Sequence, residues 1–434
     1  MSAKSDPQVM KQNAFAALVA TLLLLGRLLL PGQEVVPGEL SLNEAVKLAL
    51  ERNPELLAAR NSIEMAEGDV VTAGLRPNPQ FTVESEGLSY YRSGIEPSFE
   101  GRELTAGVEY EIQRRSQRRL GRRAAQFSTV RETAAFEDAA RALRLEVRSA
   151  FYRVLLADSN RRLAQTTLDQ TDQVIALNRT RFEQGEISGL ELTRIEVERL
   201  RFADDLFQAR LELQNSKAAL LALLNAPDLG ARLNVRGDLR EIPRLGVPMN
   251  ATAEEFLQMA TDRRPDLQAA VAEFERSAAE ILFQRTLATP NITVAGGYMR
   301  EGQDNKLVAG VNIPLAVFNR NQGEILRSKA ETRQAQNLLT ATRNRIALEV
   351  WQAFNAVKIN GERVEYIQSQ QIRQAEEASR VTLAAYRLGG APLMNYLDAQ
   401  RRYRDTMRVL NQALFDERAS MFELAAAVGD VPVP

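Results

Sequence analysis

Apolar residues recur at alternating steps of four and three over two very long segments of the chain. The pattern predicts one helix over about residues 117–183 and another over about 321–388, neither containing proline. At 1.5 Å per residue, each helix would be roughly 100 Å long. Such a stripe is typical of a coiled-coil seam. The seam residues are Leu143, Val147, Ala150, Val154 and Ala157, then Ile346, Val350, Ala353, Val357, Asn360, Val364 and Ile367.

Shorter helices are predicted to pair with the long ones. In the first half, residues 54–74 and 189–225 would give helices of about 30 Å and 55 Å. Laid end to end, they nearly cover the first long helix. We therefore predict a mainly α protein in which each half is a long antiparallel hairpin with one broken arm.

Four short segments instead alternate apolar and polar residues, which predicts strands near residues 80–89, 104–112, 291–300 and 306–314. Each is close to the ~9–11 residues of a tilted transmembrane strand. We expect a long loop over residues 89–104 and a short one over 301–305. The polar face of the first two strands would carry four carboxylates that we expect in a barrel lumen: Glu84, Glu86, Glu109 and Glu111.

The alternation leaves two hypotheses open, a membrane β-barrel with its apolar face in lipid, and a small soluble sheet capping a helical rod. Four strands do not close a barrel, since even a side-chain-filled barrel needs about eight. A barrel would therefore be shared between copies of the chain, which leaves no sheet edge exposed to lipid.

The sequence contains an internal repeat. "SLNEAVKLALERNPEL" (41–56) parallels "TAEEFLQMATDRRPDL" (252–267), and both begin with a capping box and reach a proline at the same distance. "LEVRSAF" (145–151) parallels "LEVWQAF" (348–354), and "RFEQGEI" (181–187) parallels "AYRLGGA" (385–391). We predict a first repeat at 39–225, a second at 251–434, and between them an extended connection (226–250) outside the hairpins.

Composition narrows the function. The chain has no cysteine and no histidine, which removes disulfides, thiol nucleophiles, Ser-His triads and the usual zinc and copper ligands. No nucleotide-binding glycine loop follows a strand, so we predict neither an enzyme nor a cofactor or resident metal site. The net charge of −1 gives no indication of a nucleic-acid partner.

The N-terminal segment 1–38 is predicted to be a targeting segment. Its uninterrupted apolar part, residues 14–25, is shorter than the ~20 residues of a spanning helix and follows Lys4 and Lys11. This pattern favours an export signal over a membrane anchor.

These features together resemble the outer-membrane efflux factors, the TolC-like proteins. The resemblance covers nearly all of residues 41–429, and "AGLRPNPQFTVESEG" (73–87) is similar to the branch serving heavy-metal cation pumps. It implies a homotrimer in the Gram-negative outer membrane, with a shared 12-stranded transmembrane β-barrel and a long periplasmic α-barrel. The implied partners are a periplasmic adaptor, an inner-membrane efflux pump and outer-membrane lipid.

The resemblance also implies a gate at the glycine-turn end of the hairpins. The family's tyrosine falls on Tyr386, its arginine on Ala391, and its acid on the neighbouring hairpin on Glu191. Its two pore aspartates fall on Asn395 and Asp398. The hydrogen-bonding arginine is therefore missing at its expected place.

Without that arginine, closure is expected to depend on packing by Tyr386, Phe182 and Leu388. Three Asp398 carboxylates around a trimer axis would favour cations. The turn glycines, which the resemblance places at the adaptor contact, are Gly185, Gly189, Gly389 and Gly390.

The predicted function is a passive outer-membrane exit duct for metal cations or small toxic compounds. Two alternatives stay open: an exported coiled-coil scaffold without a pore, and a duct for type I protein secretion.

Overall fold

The structure is a computed structural model that describes residues 39–86, 103–226, 233–243, 248 and 251–429. The targeting segment, the 89–102 part of the first strand loop and parts of the 226–250 connection lie outside the described residues. The elements in chain order are β1 (Glu39–Leu40), α1 (Leu42–Arg52), α2 (Pro54–Gly74), β2 (Gln80–Glu86), β3 (Glu103–Ile112), α3 (Arg115–Glu183), α4 (Gly189–Leu223), β4 (Asn234–Val235), α5 (Ala253–Arg263), α6 (Pro265–Leu287), β5 (Ile292–Glu301), β6 (Asp304–Asn312), α7 (Gln322–Tyr366), a π-helical segment (Ile367–Ile372), α8 (Arg373–Arg387) and α9 (Leu393–Ala427).

Both halves run in the same order, which is two helices, two strands, a long helix and a returning helix. The predicted capping boxes are present, because the Ser41 and Thr252 side chains each accept from the backbone three residues on and the glutamate there accepts in return. Helix α3 is continuous over 69 residues, about 100 Å, and packs against α2, α4 and α6. The predicted broken-arm hairpin is confirmed.

The second long helix differs from the prediction, because the π-helical segment interrupts it between α7 and α8. A π turn holds one residue more than an α turn. The repeat spacing contains that extra residue: Phe151 and Phe354 are 203 positions apart, whereas Gly185 and Gly389 are 204 apart. The second repeat thus carries a one-residue insertion, and the π-helical segment absorbs it so that both hairpins end in equivalent turns.

The four predicted strands form one antiparallel sheet in the order β2-β3-β5-β6. The register places Glu84 opposite Thr105 and Glu86 opposite Glu103, so the four predicted carboxylates share one face. The opposite face is apolar and exposed, with Phe81 71% and Leu307 90% accessible. The predicted 301–305 loop is wrong in extent, because β5 and β6 pair through Glu301 and Asp304 and leave a two-residue turn. Strands β2 and β6 are the unpaired edges.

Gly297 lies where β3 and β5 approach closely. A Cβ added there would sit 2.6 Å from the Ala106 carbonyl oxygen, whereas one added at Gly310 would meet nothing within 4 Å. We expect Gly297→Ala to cost about 1–3 kcal/mol, because a backbone atom would have to shift. Gly310→Ala is the matched control. Equal melting temperatures of the two variants in detergent would contradict this close approach.

The sequence had suggested a connection outside the hairpins, but the described part of it packs into their core. Leu233 and Leu239 are buried in the same core cluster as Phe151, Phe422 and Leu40. Strand β1 pairs in parallel with β4, and the guanidinium of buried Arg418 donates to the carbonyl oxygens of residues 240 and 241. The proline- and glycine-rich composition of the connection predicted irregular backbone, but not that its leucines would fill this core.

Among the described residues, no helix carries an apolar stretch long enough to cross a membrane.

Candidate functional site at the helix tips

The two hairpins end in matching turns. Gly185 and Gly389 both have φ +75°, in the left-handed region that favours glycine. Each turn closes with the same pair of backbone hydrogen bonds, the arrangement of a Schellman motif. These bonds run from Gly185 to Phe182 (2.9 Å), Glu186 to Arg181 (2.8 Å), Gly389 to Tyr386 (3.1 Å) and Gly390 to Ala385 (2.8 Å). Of the four predicted turn glycines, only Gly185 and Gly389 require the left-handed backbone.

Tyr386 lies inside the tip and bridges the two hairpins. It is 3% exposed, its ring stacks on Tyr396 at 6.3 Å between centroids, and its hydroxyl donates to Oδ1 of Asn178 on α3. Burial raises the pKa of the Tyr386 hydroxyl, which keeps it a donor at neutral pH. The hydroxyl's partner is thus Asn178. Glu191, at the position of the family's acid, is half-buried, and its role in the gate stays a prediction.

An arginine does hold the tip, but it comes from the other hairpin. Arg181, near the end of α3, places its guanidinium 5.4 Å from the Tyr386 ring centroid. It also donates to the carbonyl oxygens of Tyr386 (3.4 Å) and Arg387 (2.7 Å), the last residues of α8. A cation is favourable at this negative end of a helix. We call Asn178, Arg181 and Tyr386 the tip latch.

The sequence prediction missed two of the three latch residues. The family pattern places the arginine at position 391, within the second turn, where this chain has Ala391. Asn178 did leave a signal in the sequence, since it is a polar residue four positions after Val174 in an apolar stripe, and the structure buries it fully. Arg181 left none, because its contacts cross to residues about 200 positions away.

A second set of links joins α4 to α9 beside the latch. Arg401 donates through Nε to the carboxylate of buried Glu198 (2.7 Å) and through Nη1 to Asp398 (3.2 Å). Arg404 pairs with Asp205 and lies 5.3 Å from the Phe202 ring centroid. Charged hydrogen bonds are among the stronger ones in proteins. In this set only the Glu198 carboxylate is largely removed from water.

The Glu198–Arg401 pair predicts a pH dependence. The hydrogen bonds from Arg401 hold the pKa of Glu198 below its ordinary value of 4.5. A carboxyl with a lowered folded pKa stabilises the fold fully above its unfolded pKa, and this contribution is lost as pH falls through the folded pKa. Wild type should therefore melt above Glu198→Gln by a constant margin from pH 7 to about 5. That margin should shrink below pH 4.5. An unchanged margin at pH 3 would show that the charge of Glu198 does not stabilise the fold.

Two amide pairs, each with its α9 member buried, tie α3 to α9. Asn411 donates to Asn160 at 2.9 Å, and Gln400 donates to Gln170 at 2.9 Å while accepting from Ser379 of α8 at 3.0 Å. Buried polar groups that satisfy one another fix the register of packed helices. Helix α9 is therefore held to the first hairpin along its length, whereas α8 depends on α9 and on the tip latch.

The predicted pore residues lie on an exposed face of α9. Asn395 and Asp398 are exposed one turn apart, and the Asp398 carboxylate is partly compensated by Arg401. Phe182 is 46% and Leu388 87% exposed, and their part in closure stays a prediction. Among the described residues, no group of three or more carboxylates is placed to hold a metal ion.

Two known proteins are similar to this chain in sequence. The chain is 27% identical over 372 residues to the cobalt-zinc-cadmium resistance protein CzcC of Cupriavidus metallidurans, with 84% of each chain covered. It is 26% identical over 394 residues to the pyoverdine export outer membrane protein OpmQ of Pseudomonas putida, covering 83% of this chain and 79% of OpmQ.

The fold has solved counterparts. The crystal structure of the Campylobacter jejuni CmeC outer membrane channel matches with a TM-score of 0.74 at 17% identity, over 89% of this chain and 85% of CmeC. The profile of the outer membrane efflux proteins matches residues 45–226 and 256–430, one segment for each repeat. The chain belongs to the outer membrane efflux protein family.

Proposed function

We propose that three copies of the chain form a passive exit duct, in which an inner-membrane pump and a periplasmic adaptor deliver substrate for release outside the cell. The observation that carries this proposal is the four-stranded sheet with two unpaired edges and one exposed apolar face. Joining β6 of one copy to β2 of the next gives twelve strands and satisfies both edges. The long helical hairpins would then extend the barrel on the periplasmic side of the membrane.

The barrel lumen of this duct is acidic. The polar face carries Glu84, Glu86, Glu109 and Glu111, and the register adds Glu103 beside them. Rings of carboxylates favour cations over anions in a pore. Together with the relative named for cobalt, zinc and cadmium resistance, this favours metal cations as cargo. The OpmQ relative, named for pyoverdine export, keeps small organic compounds as the second class.

The helix tips form the periplasmic gate. With the latch closed, α8 is held against the first hairpin by Arg181 and Asn178. We infer that opening breaks this latch and swings α8 about the π-helical segment, 15 residues or about 23 Å from the turn. Because a short turn joins α8 to α9, this motion would carry with it the first turns of α9, which precede the Gln400 and Arg401 links, and so widen the ring at Asn395 and Asp398.

The adaptor would dock at the two exposed turns. Gly185, Gly189, Gly389 and Gly390 are all exposed, and beside them the described chain leaves Leu190 63% and Leu388 87% accessible. Small residues between exposed leucines leave shallow apolar depressions that a partner's helical hairpin can fill.

Planar-bilayer recording of the purified mature chain tests the proposed function. We expect discrete conductance steps with cation preference. A chain that stays water-soluble without detergent and produces no steps would instead support the coiled-coil scaffold.

Asp398→Asn should reduce cation preference at the gate, because it removes the exposed carboxylate from each copy. The effect should be modest, about two- to threefold in permeability ratio, since Arg401 already compensates part of the charge. Asp405→Asn, on the same helix and also exposed, is the control further from the turn. Identical permeability ratios in wild type and Asp398→Asn would remove Asp398 from the pore constriction.

A further inference from the structure

One strongly basic patch plays no part in the proposed gate. Between Glu111 and Glu132 the chain contains no acidic residue. The equivalent start of α7 is mixed, since Arg327 pairs there with Glu324 and Glu331. The excess of positive charge is thus confined to the first repeat. Its seven arginines are Arg114, Arg115, Arg118, Arg119, Arg122, Arg123 and Arg131.

Two of these arginines have hydrogen-bond or ion-pair partners among the described residues, whereas for the other five the structure gives only the contact of Arg123 with the Phe127 ring. Arg114 donates to the carbonyl oxygens of Thr286 and Thr289 at the end of α6, and Arg131 pairs with Glu273. The remaining five make no ion pair with another described residue, and all but half-buried Arg118 are exposed. We call these five the basic collar: Arg115, Arg118, Arg119, Arg122 and Arg123.

The positive charge of the collar lies at the end of its own helix that is already positive. It occupies the first turns of α3, which has no acidic residue in its first turn. The N-terminus of a helix carries partial positive charge, so Arg115 in the first turn adds its charge to an end that is already positive, and a bound anion would offset both. Helix and side chains together make a surface that attracts anions.

The position of the collar relative to the membrane indicates which kind of anion it would meet. Helix α3 begins three residues after β3, whose ten residues match one tilted membrane crossing and whose Leu104, Val108 and Ile112 are exposed. From Arg115 to Arg123 the helix rises about 12 Å. If β3 spans the membrane, as the proposed function requires, the collar lies in the headgroup layer at the periplasmic end of the barrel.

We propose that the basic collar binds the phosphates of anionic phospholipids in the periplasmic leaflet of the outer membrane. Clusters of arginine beside a membrane span attract anionic headgroups, and arginine binds phosphate through paired N–H donors. The collar thereby fixes the depth and tilt of the barrel, so that the helical hairpins project squarely towards their partners. This inference rests on the proposed function only for the position of β3 in the membrane.

The test uses the full mature protein in detergent micelles doped with dioleoyl-phosphatidylglycerol or dioleoyl-phosphatidylcholine. Native mass spectrometry counts the bound lipids. Wild type should bind phosphatidylglycerol preferentially, and R115Q/R119Q/R122Q should bind it on the order of 100-fold more weakly, given the contribution of each arginine near an anionic surface. The control K329Q/R333Q/R343Q removes three exposed cations from α7, for which the structure gives no ion pair, and should bind as wild type does.

Equal phosphatidylglycerol binding by the two triple variants, or equal binding of both lipids by wild type, would overturn the proposal. So would a change of ion selectivity in R115Q/R119Q/R122Q without loss of lipid, which would place the collar in the lumen. A wild type that binds phosphatidylglycerol through the collar but never conducts would contradict the duct and leave the collar standing.

Discussion

Arg181→Ala is expected to leave the duct leaking. The variant loses two hydrogen bonds to the end of α8 and the contact with the Tyr386 ring. Charged hydrogen bonds contribute about 1.5–3 kcal/mol and an arginine over an aromatic ring about 0.5–2 kcal/mol. Even a 2 kcal/mol loss would shift the closed-to-open ratio about 30-fold. Planar-bilayer recording should show a large rise in mean conductance and in the time spent open.

The neighbouring Arg179 provides the control for this prediction. It pairs with Glu196 within the first hairpin, and among the described residues it makes no hydrogen bond or ion pair to the second. Arg179→Ala should therefore conduct as wild type does. Equal conductance in wild type and Arg181→Ala would show that the latch does not hold the gate.

Deleting Ser369 from the π-helical segment is expected to lock the gate without unfolding the protein. A π turn with one residue removed becomes a regular α turn, and both flanking helices keep their phase. Tyr386 should still reach Asn178, but the hinge is gone. The leak caused by Arg181→Ala should then be suppressed when Ser369 is also deleted, and the measurement is again mean conductance.

A deletion at the corresponding position of the first repeat gives the opposite expectation. Helix α3 is regular there, so removing Thr166 turns everything beyond it by about 100° and shifts it by 1.5 Å. Asn178 and Arg181 would leave the latch, and the melting temperature should fall. If the Ser369 deletion destabilises the protein as much as the Thr166 deletion does, the π-helical segment is not an absorbed insertion.

The sequence predicted the helices and strands to within a few residues because their signals are local. Caps, prolines and the alternation between steps of three and four lie within each element. The insertion was also visible, as the change of repeat spacing from 203 to 204, but spacing alone does not say where a helix will widen. The π segment lies where Ile367 is buried in the main core, a position that only packing fixes.

The site was less predictable, because its bonds connect residues far apart in the chain. Periodicity tells which face of a helix is buried, but not which helix lies against it. The family pattern pointed to Ala391 and Glu191, whereas the bonds that the folded chain makes at Tyr386 come from Arg181 and Asn178. An arginine reaching across from the opposite hairpin can replace one within the turn, since only the position of its guanidinium matters.

The most direct test of the shared barrel is disulfide formation between the β2 edge of one copy and the β6 edge of the next. The chain has no cysteine, so Val83→Cys on β2 can be combined in turn with cysteine at Leu307, Ala309 or Val311 on β6. Within one chain these edges are three strand spacings apart, about 14 Å, beyond the ~7 Å Cα separation that a disulfide spans. After oxidation in membranes, a non-reducing gel should show at least one pair giving a ladder that ends at three copies. Monomers alone for all three pairs, or a ladder without an end, would contradict the shared barrel.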